Sequence, residues 1–185
     1  MNEQEKTMAP NLFICGLYSV KEILTNNKID HMLSILDPDN HLDELDIQII
    51  QEFEPLCPEN RLVLKFNDIT EKFENESNHD NKLFGYRKDL IWPDIHHVEE
   101  VLKFALNISD QDNVLIHCHA GISRSTAFAT IILMTKMKDE KKVFHHLMHE
   151  TQRENFICPS KRIIQIADHI MGTKLNDERK RYWMT

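Results

Sequence analysis

A cysteine and an arginine, Cys118 and Arg124, are separated by five residues at the point where an apolar run gives way to a helical pattern. The run ends in VLI at 114–116, and the sequence continues as HCHAGISRST over 117–126. In such a tight loop, successive backbone N–H groups converge on one point, and the dipole of the following helix favours an anion there. Gly121 lets the backbone curl closely around that anion. The pattern predicts a phosphate cradle.

The same loop supplies a candidate nucleophile and its support. A helix N-terminus beside an arginine favours the reactive thiolate form of Cys118. Arg124 offers a planar fork that binds two phosphoryl oxygens at once, and the hydroxyl of Ser125 can donate to the sulfur. His117 is interpreted as a residue that orients the loop, not as a base. The expected phosphate-binding positions are His119, Ala120, Gly121, Ile122, Ser123 and Arg124.

The string 117–126 resembles the signature of the cysteine-dependent protein tyrosine phosphatase superfamily, HCx5R followed by Ser or Thr. The flanking order of elements is similar to that of small dual-specificity-type and compact bacterial-type tyrosine phosphatases, over about residues 11–172. The resemblance implies a two-step reaction in which Cys118 attacks phosphorus to give a cysteinyl-phosphate. An aspartic acid protonates the leaving oxygen and then activates water. It also implies that no metal or other cofactor is needed, because Arg124 and the loop amides stabilise the equatorial oxygens.

Two aspartates are candidates for this acid. Asp68 directly follows the apolar run 62–66 and lies in the tripeptide NDI, which resembles the Asp-containing turn of dual-specificity enzymes. It precedes the cysteine by 50 residues, so the segment 67–93 is predicted to be a long active-site loop or lid. Asp94 lies in the tripeptide WPD, which resembles the mobile loop of larger tyrosine phosphatases. Because Asp94 is also explained as a helix N-cap, Asp68 is preferred, with Asp94 and then Asp89 as alternatives.

The remaining pattern predicts an α/β fold with a mainly parallel central sheet of four to five strands flanked by helices, similar to that of protein tyrosine phosphatases. Apolar residues recur at three- and four-residue steps over 95–108, which predicts a helix, and 126–137 is apolar nearly all round, which predicts a buried one. Two amphipathic helices follow. The predicted strands are 12–15, 32–36, 62–66 and 113–117.

Length and composition bound the organisation of the chain. The 185 residues fit one domain, with an N-terminal extension 1–10, a phosphatase domain 11–173 and a solvated C-terminal tail 174–185. No apolar run approaches the ~18 residues that span a bilayer, and no signal peptide is recognisable, so a cytoplasmic protein is expected. The four cysteines lack paired spacing and are expected to be free thiols.

These observations predict a monomeric protein phosphatase that acts on phosphotyrosine, with phosphoserine and phosphothreonine left open. The net charge of −8 excludes a general binder of nucleic acid or anionic membranes. The resemblance to phosphatases implies a phosphorylated protein as the partner. The resemblance to the superfamily also implies that a highly charged lipid headgroup is a less favoured substrate. Lipid phosphatases of the superfamily usually have lysines in this loop, and this chain has none there. The alternatives are a phosphatase of phosphoinositides or other small phosphoesters, and a phosphopeptide-binding module without turnover.

Overall fold

The computed structural model describes residues 9–69, 90–153 and 156–183. Within those residues the strands are β1 (Asn11–Cys15), β2 (His31–Leu36), β3 (Arg61–Lys65), β4 (Asn113–His117) and β5 (Gln152–Arg153). The helices are α1 (Val20–Asn26), α2 (Glu44–Phe53), α3 (Ile95–Leu106), α4 (Arg124–Met137), α5 (Glu140–His149), α6 (Lys161–Met171) and α7 (Leu175–Trp183). Short 3-10 turns cover Leu17–Ser19, Asp39–His41 and Glu54–Leu56.

The described strands form one parallel sheet in the order β3-β2-β4-β1-β5. The predicted α/β class and parallel sheet are therefore confirmed, and all four predicted strands are present. The two-residue strand β5 was not predicted, because its polar sequence shows no strand pattern. Since all strands run the same way, the residues that follow β2, β3 and β4 lie at a common edge of the sheet.

Alternating residues of the strands face two separate cores. On β1, Leu12 and Ile14 join the larger core, whereas Phe13 and Cys15 join a smaller core with Phe53 of α2. The larger core also contains residues of α3, α4, α5 and α6, and α4 contacts the other three. Helix α4 is apolar on nearly every side because it lies among these helices and the sheet. The prediction of a buried helix after the cysteine loop is confirmed.

The C-terminal segment differs from the solvated tail expected from its basic sequence. Residues 175–183 form α7, and Leu175 at its start is buried. The carboxylate of Asp168 on α6 accepts hydrogen bonds from the backbone N–H groups of Leu175, at 2.7 Å, and Asn176, at 2.9 Å. The ring of Tyr182 stacks on Phe144 of α5 at a centroid distance of 5.7 Å. The prediction missed α7 because its cap and its apolar contacts come from other helices.

None of the helices within the described residues is both long enough and apolar enough to span a membrane.

Candidate active site

The predicted cradle is the turn between the end of β4 and the start of α4, and its cysteine lies at its centre. The Sγ atom of Cys118, a residue only 1% exposed, accepts a hydrogen bond from the backbone N–H of Gly121 at 3.2 Å. The same sulfur lies 3.3 Å from the Oγ atom of Ser125. Gly121 has a φ of +72°, and a Cβ atom there would come within 2.5 Å of the Cys15 carbonyl carbon. Only glycine fits this position, both in conformation and in space.

Neighbouring segments form hydrogen bonds to the backbone carbonyl oxygens of the cradle. Backbone N–H groups from the turn after β1 and from the connection between β5 and α6 donate to three of them. Because these carbonyls are occupied from outside, the loop keeps its shape with the cysteine near its centre. The three bonds join Leu17 N to His119 O at 2.9 Å, Cys158 N to Ile122 O at 3.1 Å, and Ser160 N to Ser123 O at 3.2 Å.

Arg124 is buried and held on one side of its guanidinium group. Its Nη1 atom donates to Asp37 Oδ1 and to the backbone carbonyl of Phe66, both at 2.8 Å, and Nη2 lies 3.5 Å from Asp37 Oδ2. Its Nε atom is buried and has no hydrogen-bond partner among the described residues. A buried donor without a partner is costly, and a phosphoryl oxygen would supply the missing acceptor. Sequence analysis missed Asp37, although its position directly after β2 places it at the same sheet edge as Asp68.

Asp68 lies against the cradle. Its Oδ1 atom accepts a hydrogen bond from the hydroxyl of Ser123 at 3.0 Å, and its Oδ2 atom lies 3.7 Å from Arg124 Nε. Two hydrogen bonds join Asn67 and Ile91, near the two ends of the predicted loop 67–93. The backbone N–H of Asn67 donates to the Ile91 carbonyl, and the backbone N–H of Ile91 donates to Asn67 Oδ1, both at 2.9 Å. Of the predicted loop 67–93, residues 70–89, with the alternative acid Asp89, lie outside the described residues.

Asp94 has the contacts of a helix cap. Its carboxylate accepts a hydrogen bond from the backbone N–H of His97 at 3.3 Å, and the His97 ring accepts one from the backbone N–H of Asp94 at 3.1 Å. This reciprocal pair satisfies two donors at the start of α3. The preceding carbonyl, of Pro93, accepts from Arg162 Nε at 2.9 Å. The N-cap role predicted for Asp94 is therefore present.

His117 is a neutral support beneath the cradle. The residue is fully buried, and its ring packs edge-on against Phe53 at a centroid distance of 5.7 Å. Burial, and then the positive charges of Arg61 and Arg124, lower the pKa of His117 to about 3. The ring therefore stays uncharged over the physiological pH range.

His119 of the cradle contacts two residues outside it, Asp46 of α2 and Tyr18. The Nε2 atom of His119 lies 3.3 Å from Oδ1 of the buried Asp46, and the Tyr18 hydroxyl lies 3.4 Å from the same oxygen. The rings of Tyr18 and His119 meet edge to face at 5.9 Å. Partial desolvation and the charge of Asp46 raise the pKa of Tyr18, so its hydroxyl stays protonated at neutral pH. Sequence analysis did not identify Tyr18 or Asp46 as neighbours of the cradle.

The described residues contain no group of three or more His, Cys, Asp or Glu side chains arranged to hold a metal ion. The histidines of α5 are engaged locally instead: the rings of His145 and His149 lie 4.7 Å apart, and His146 Nδ1 lies 2.9 Å from a carboxylate oxygen of Glu150. All four cysteines are free, as expected.

Residues 12–169 match the family model described as dual specificity phosphatase, catalytic domain. The chain belongs to this family. The resemblance inferred from the string 117–126 is thereby confirmed, and the chain is a phosphatase of the protein tyrosine phosphatase superfamily. A search of curated proteins finds no match to this phosphatase.

Solved structures of phosphatases share the fold of this dual specificity phosphatase. A PTP-2 phosphatase of Cydia pomonella is 19% identical with a TM-score of 0.55, covering 88% of this chain and 86% of its own. A human tyrosine phosphatase-like serine/threonine/tyrosine-interacting protein is 18% identical with a TM-score of 0.53, covering 89% and 93%. The active form of Tk-PTP is 15% identical with a TM-score of 0.51, covering 94% and 100%. At these identities the likeness shows the fold alone.

Proposed function

We propose that this phosphatase hydrolyses phosphotyrosine in proteins through a cysteinyl-phosphate intermediate on Cys118. The proposal depends on one observation: the cradle contains both the buried sulfur of Cys118 and a buried N–H of Arg124 that has no hydrogen-bond partner among the described residues. The sulfur is contacted by Gly121 N–H and lies beside Ser125 Oγ, while Arg124 Nε has no hydrogen-bond partner among the described residues. A phosphoryl group placed over the sulfur would satisfy that donor.

In the first step, the thiolate of Cys118 attacks phosphorus while the bond from phosphorus to the substrate oxygen breaks. Asp68 in its acid form gives its proton to the departing oxygen, so the leaving group departs as a neutral hydroxyl. Arg124 and the loop N–H groups bind the equatorial oxygens, whose charge they stabilise. The hydroxyl of Ser125 donates to the sulfur whenever the sulfur carries negative charge.

In the second step, water attacks phosphorus and the phosphorus–sulfur bond breaks. The carboxylate of Asp68 takes a proton from that water, which restores the acid for the next cycle, and inorganic phosphate leaves. Two observations favour Asp68 over Asp94 for this role. Asp68 contacts Ser123 and lies near Arg124, whereas the side chain of Asp94 caps α3.

Two features support phosphotyrosine in a protein as the substrate. The cradle positions His119 to Ser123 contain no lysine, so the loop itself offers Arg124 as its cation and suits a single phosphate. Exposed aromatic side chains flank the cradle on two sides, with Tyr18 next to His119 and Phe156 in the groove that Ser123 also lines. An aromatic ring between these side chains would bury apolar surface that a phosphoserine could not.

The test is hydrolysis of an aryl phosphate and of a phosphotyrosyl peptide by the purified protein in the presence of a metal chelator. We expect turnover by the native protein, and a loss of about 10³-fold or more in Cys118→Ser. The matched control is Cys57→Ser, which should keep the activity of the native protein. Cys57 is a partly buried free cysteine whose thiol donates a hydrogen bond to the backbone carbonyl of Phe53 at the end of α2. Mass spectrometry after an acid quench should find phosphate on Cys118.

The proposal fails if the native protein does not hydrolyse the aryl phosphate, or if Cys118→Ser retains full activity. Binding of the peptide without turnover would instead identify a phosphopeptide-binding module. Comparison of phosphotyrosyl, phosphoseryl and phosphothreonyl peptides with phosphoinositide vesicles addresses substrate class. We expect the highest kcat/KM for the phosphotyrosyl peptide, and a higher value for phosphoinositide would overturn the assignment.

A further inference from the structure

A groove of about 470 Å³ opens beside the cradle, at the edge that carries Asp68. Its lining combines apolar and cationic side chains. Ile122 and Ser123 of the cradle, Phe156 and Pro159 of the connection to α6, Lys161 at the start of α6 and Arg179 of α7 all contribute. Phe156 is 70% exposed, so its ring is available to a molecule in the groove.

The cations of this groove are not neutralised by the described chain. Neither Lys161 nor Arg179 forms an ion pair with a described residue, although the protein carries a net charge of −8. On the same helix, Lys180 pairs with Asp177 at 3.5 Å, and Arg181 pairs with Glu178. Among the described residues that line the groove, Asp68 is the one acid, and it already accepts a hydrogen bond from Ser123 and lies near Arg124.

Arg179 is held in place by the docking of α7. Asp168 caps the start of that helix, and Glu140 of α5 accepts a hydrogen bond from the backbone N–H of Lys174 at 3.1 Å. The Nε atom of Arg179 donates to Asn176 Oδ1 at 3.2 Å. This bond uses the inner nitrogen of the guanidinium group, so the two terminal nitrogens remain available to an acceptor. Arg179 lies beyond residues 12–169, the range that matches the family model.

We propose that this groove is a second anion-binding subsite, which takes an acidic side chain near the phosphorylated residue of the protein substrate. The apolar side chains of Ile122, Phe156 and Pro159 would contact the aliphatic part of the substrate chain, and Lys161 and Arg179 would bind its carboxylate. The subsite rests on the proposed function, because it orients the flanking chain while phosphotyrosine occupies the cradle.

A peptide chain fits this groove better than a lipid headgroup. The groove adjoins the cradle at Ile122 and Ser123, whereas His119 of the cradle lies 3.3 Å from the carboxylate of Asp46, which does not line the groove. An extended chain with one acidic side chain needs cations on one side only. A phosphoinositide ring with several phosphates would bring negative charge toward Asp46 as well.

The experiment measures kcat/KM on a set of phosphotyrosyl peptides that carry one glutamate at successive positions from −3 to +3 around the phosphotyrosine. Glutamine replaces that glutamate in the reference set, and an aryl phosphate reports the chemistry alone. We expect the native protein to prefer glutamate at one or two adjacent positions. Arg179→Gln and Lys161→Gln should each lower kcat/KM about fivefold for those peptides and leave the glutamine peptides and the aryl phosphate unchanged.

The matched control is Lys180→Gln, which removes the same charge from the same helix at a residue that does not line the groove. It should leave the glutamate preference intact. Equal losses from Arg179→Gln and Lys180→Gln would overturn the subsite in favour of a general charge effect. Equal losses on every substrate, or dependence on Arg179 for phosphoinositide vesicles and not for peptides, would overturn it as well.

Titration of the same peptides onto the Cys118→Ser variant measures their affinity for the subsite without turnover. A native protein that fails to hydrolyse the aryl phosphate refutes the proposed function, whereas binding that depends on Arg179 and on the glutamate would still support the subsite. Active enzyme with no glutamate preference refutes the subsite alone. Thermal unfolding of Arg179→Gln should match that of the native protein, which shows that α7 stays docked.

Discussion

The phosphate cradle and the groove beside it meet at Ser123, but their side chains are held in different ways. In the cradle, Cys118 is 1% exposed and Arg124 is 3% exposed, and each is contacted by at least two neighbouring groups. In the groove, Phe156 is 70% exposed, and the side chain of Arg179 hydrogen-bonds, among the described residues, to Asn176 alone. Cys118 and Arg124 are thus buried and contacted by the surrounding chain, whereas Phe156 is largely exposed.

This difference follows from what each region has to do. Stabilising the charge of a transition state requires donors that already point at the right position before the reaction starts. Recognition of an acidic side chain at a rim tolerates flexible cations, because solvent screens the interaction and only a modest gain is needed. Changes in the cradle should therefore affect every substrate, and changes in the groove should affect only those that reach it.

The sharpest comparison uses two glycines with positive φ, one in the cradle and one before α7. We expect Gly121→Ala to lower kcat by about 10³-fold on all substrates, because the new Cβ would come within 2.5 Å of the Cys15 carbonyl carbon and push the loop away from the sulfur. Steady-state kinetics on an aryl phosphate measure the loss.

Gly172→Ala is the control for that experiment. Gly172 has a φ of +68°, and a Cβ atom there meets nothing within 4 Å. The substitution should cost about 1 kcal/mol of unfolding free energy from backbone strain and leave kcat unchanged. Full activity in Gly121→Ala would contradict the account of a sterically fixed cradle.

The next comparison separates the two candidate acids. Asp68→Ala should lower kcat by about 10²-fold, because the departing oxygen loses its proton donor. The loss should be largest for phosphotyrosine and smaller for an aryl phosphate whose leaving group is already a good one. Kinetics on both substrates, with leaving groups of different basicity, provide the measurement.

Asp94→Ala should instead destabilise the protein by about 1 kcal/mol, the usual cost of an N-cap, and keep its kcat. A larger loss of kcat from Asp94→Ala than from Asp68→Ala would reverse the assignment of the acid. Urea unfolding of both variants, compared with their kcat values, shows which carboxylate stabilises the folded protein and which takes part in catalysis.

The last comparison concerns the pH dependence of stability and the buried ring of His117 under the cradle. The folded pKa of His117, about 3, lies below its ordinary value of 6.5, so the unfolded chain binds a proton that the folded chain does not. Stability therefore falls as pH drops from about 6.5 toward 3, by up to about 1.4 kcal/mol per pH unit. Between pH 7 and pH 5 the native protein should lose about 2 kcal/mol more than His117→Asn.

Urea unfolding followed by circular dichroism at the two pH values gives this difference. The comparison between native protein and variant cancels the titration of the remaining groups, which both proteins share. Parallel loss of stability in the two proteins would mean that His117 is not held neutral by burial.

The sequence alone was enough to predict strands β1 to β4, the buried helix α4 and the residues of the cradle. Cys118, Gly121, Arg124 and Ser125 lie within eight consecutive residues between a strand and a helix. Local chain geometry is enough to bring such residues together, so the loop was predictable without knowledge of the packing. The position of Asp68, three residues after the end of β3, was predictable as well, because parallel strands end at one edge of a sheet.

Only the tertiary structure decided what surrounds that loop. Asp37 accepts a hydrogen bond from Arg124, which lies 87 residues later in the sequence, and Asp46 of α2 contacts His119. Arg179 lies in the groove because Asp168 caps α7. The first two contacts join elements that are distant in the chain, and the third joins two consecutive helices, so none of them follows from the residue pattern of a single element. The supposed tail became a helix for the same reason: its stability comes from contacts with α5 and α6, which composition does not reveal.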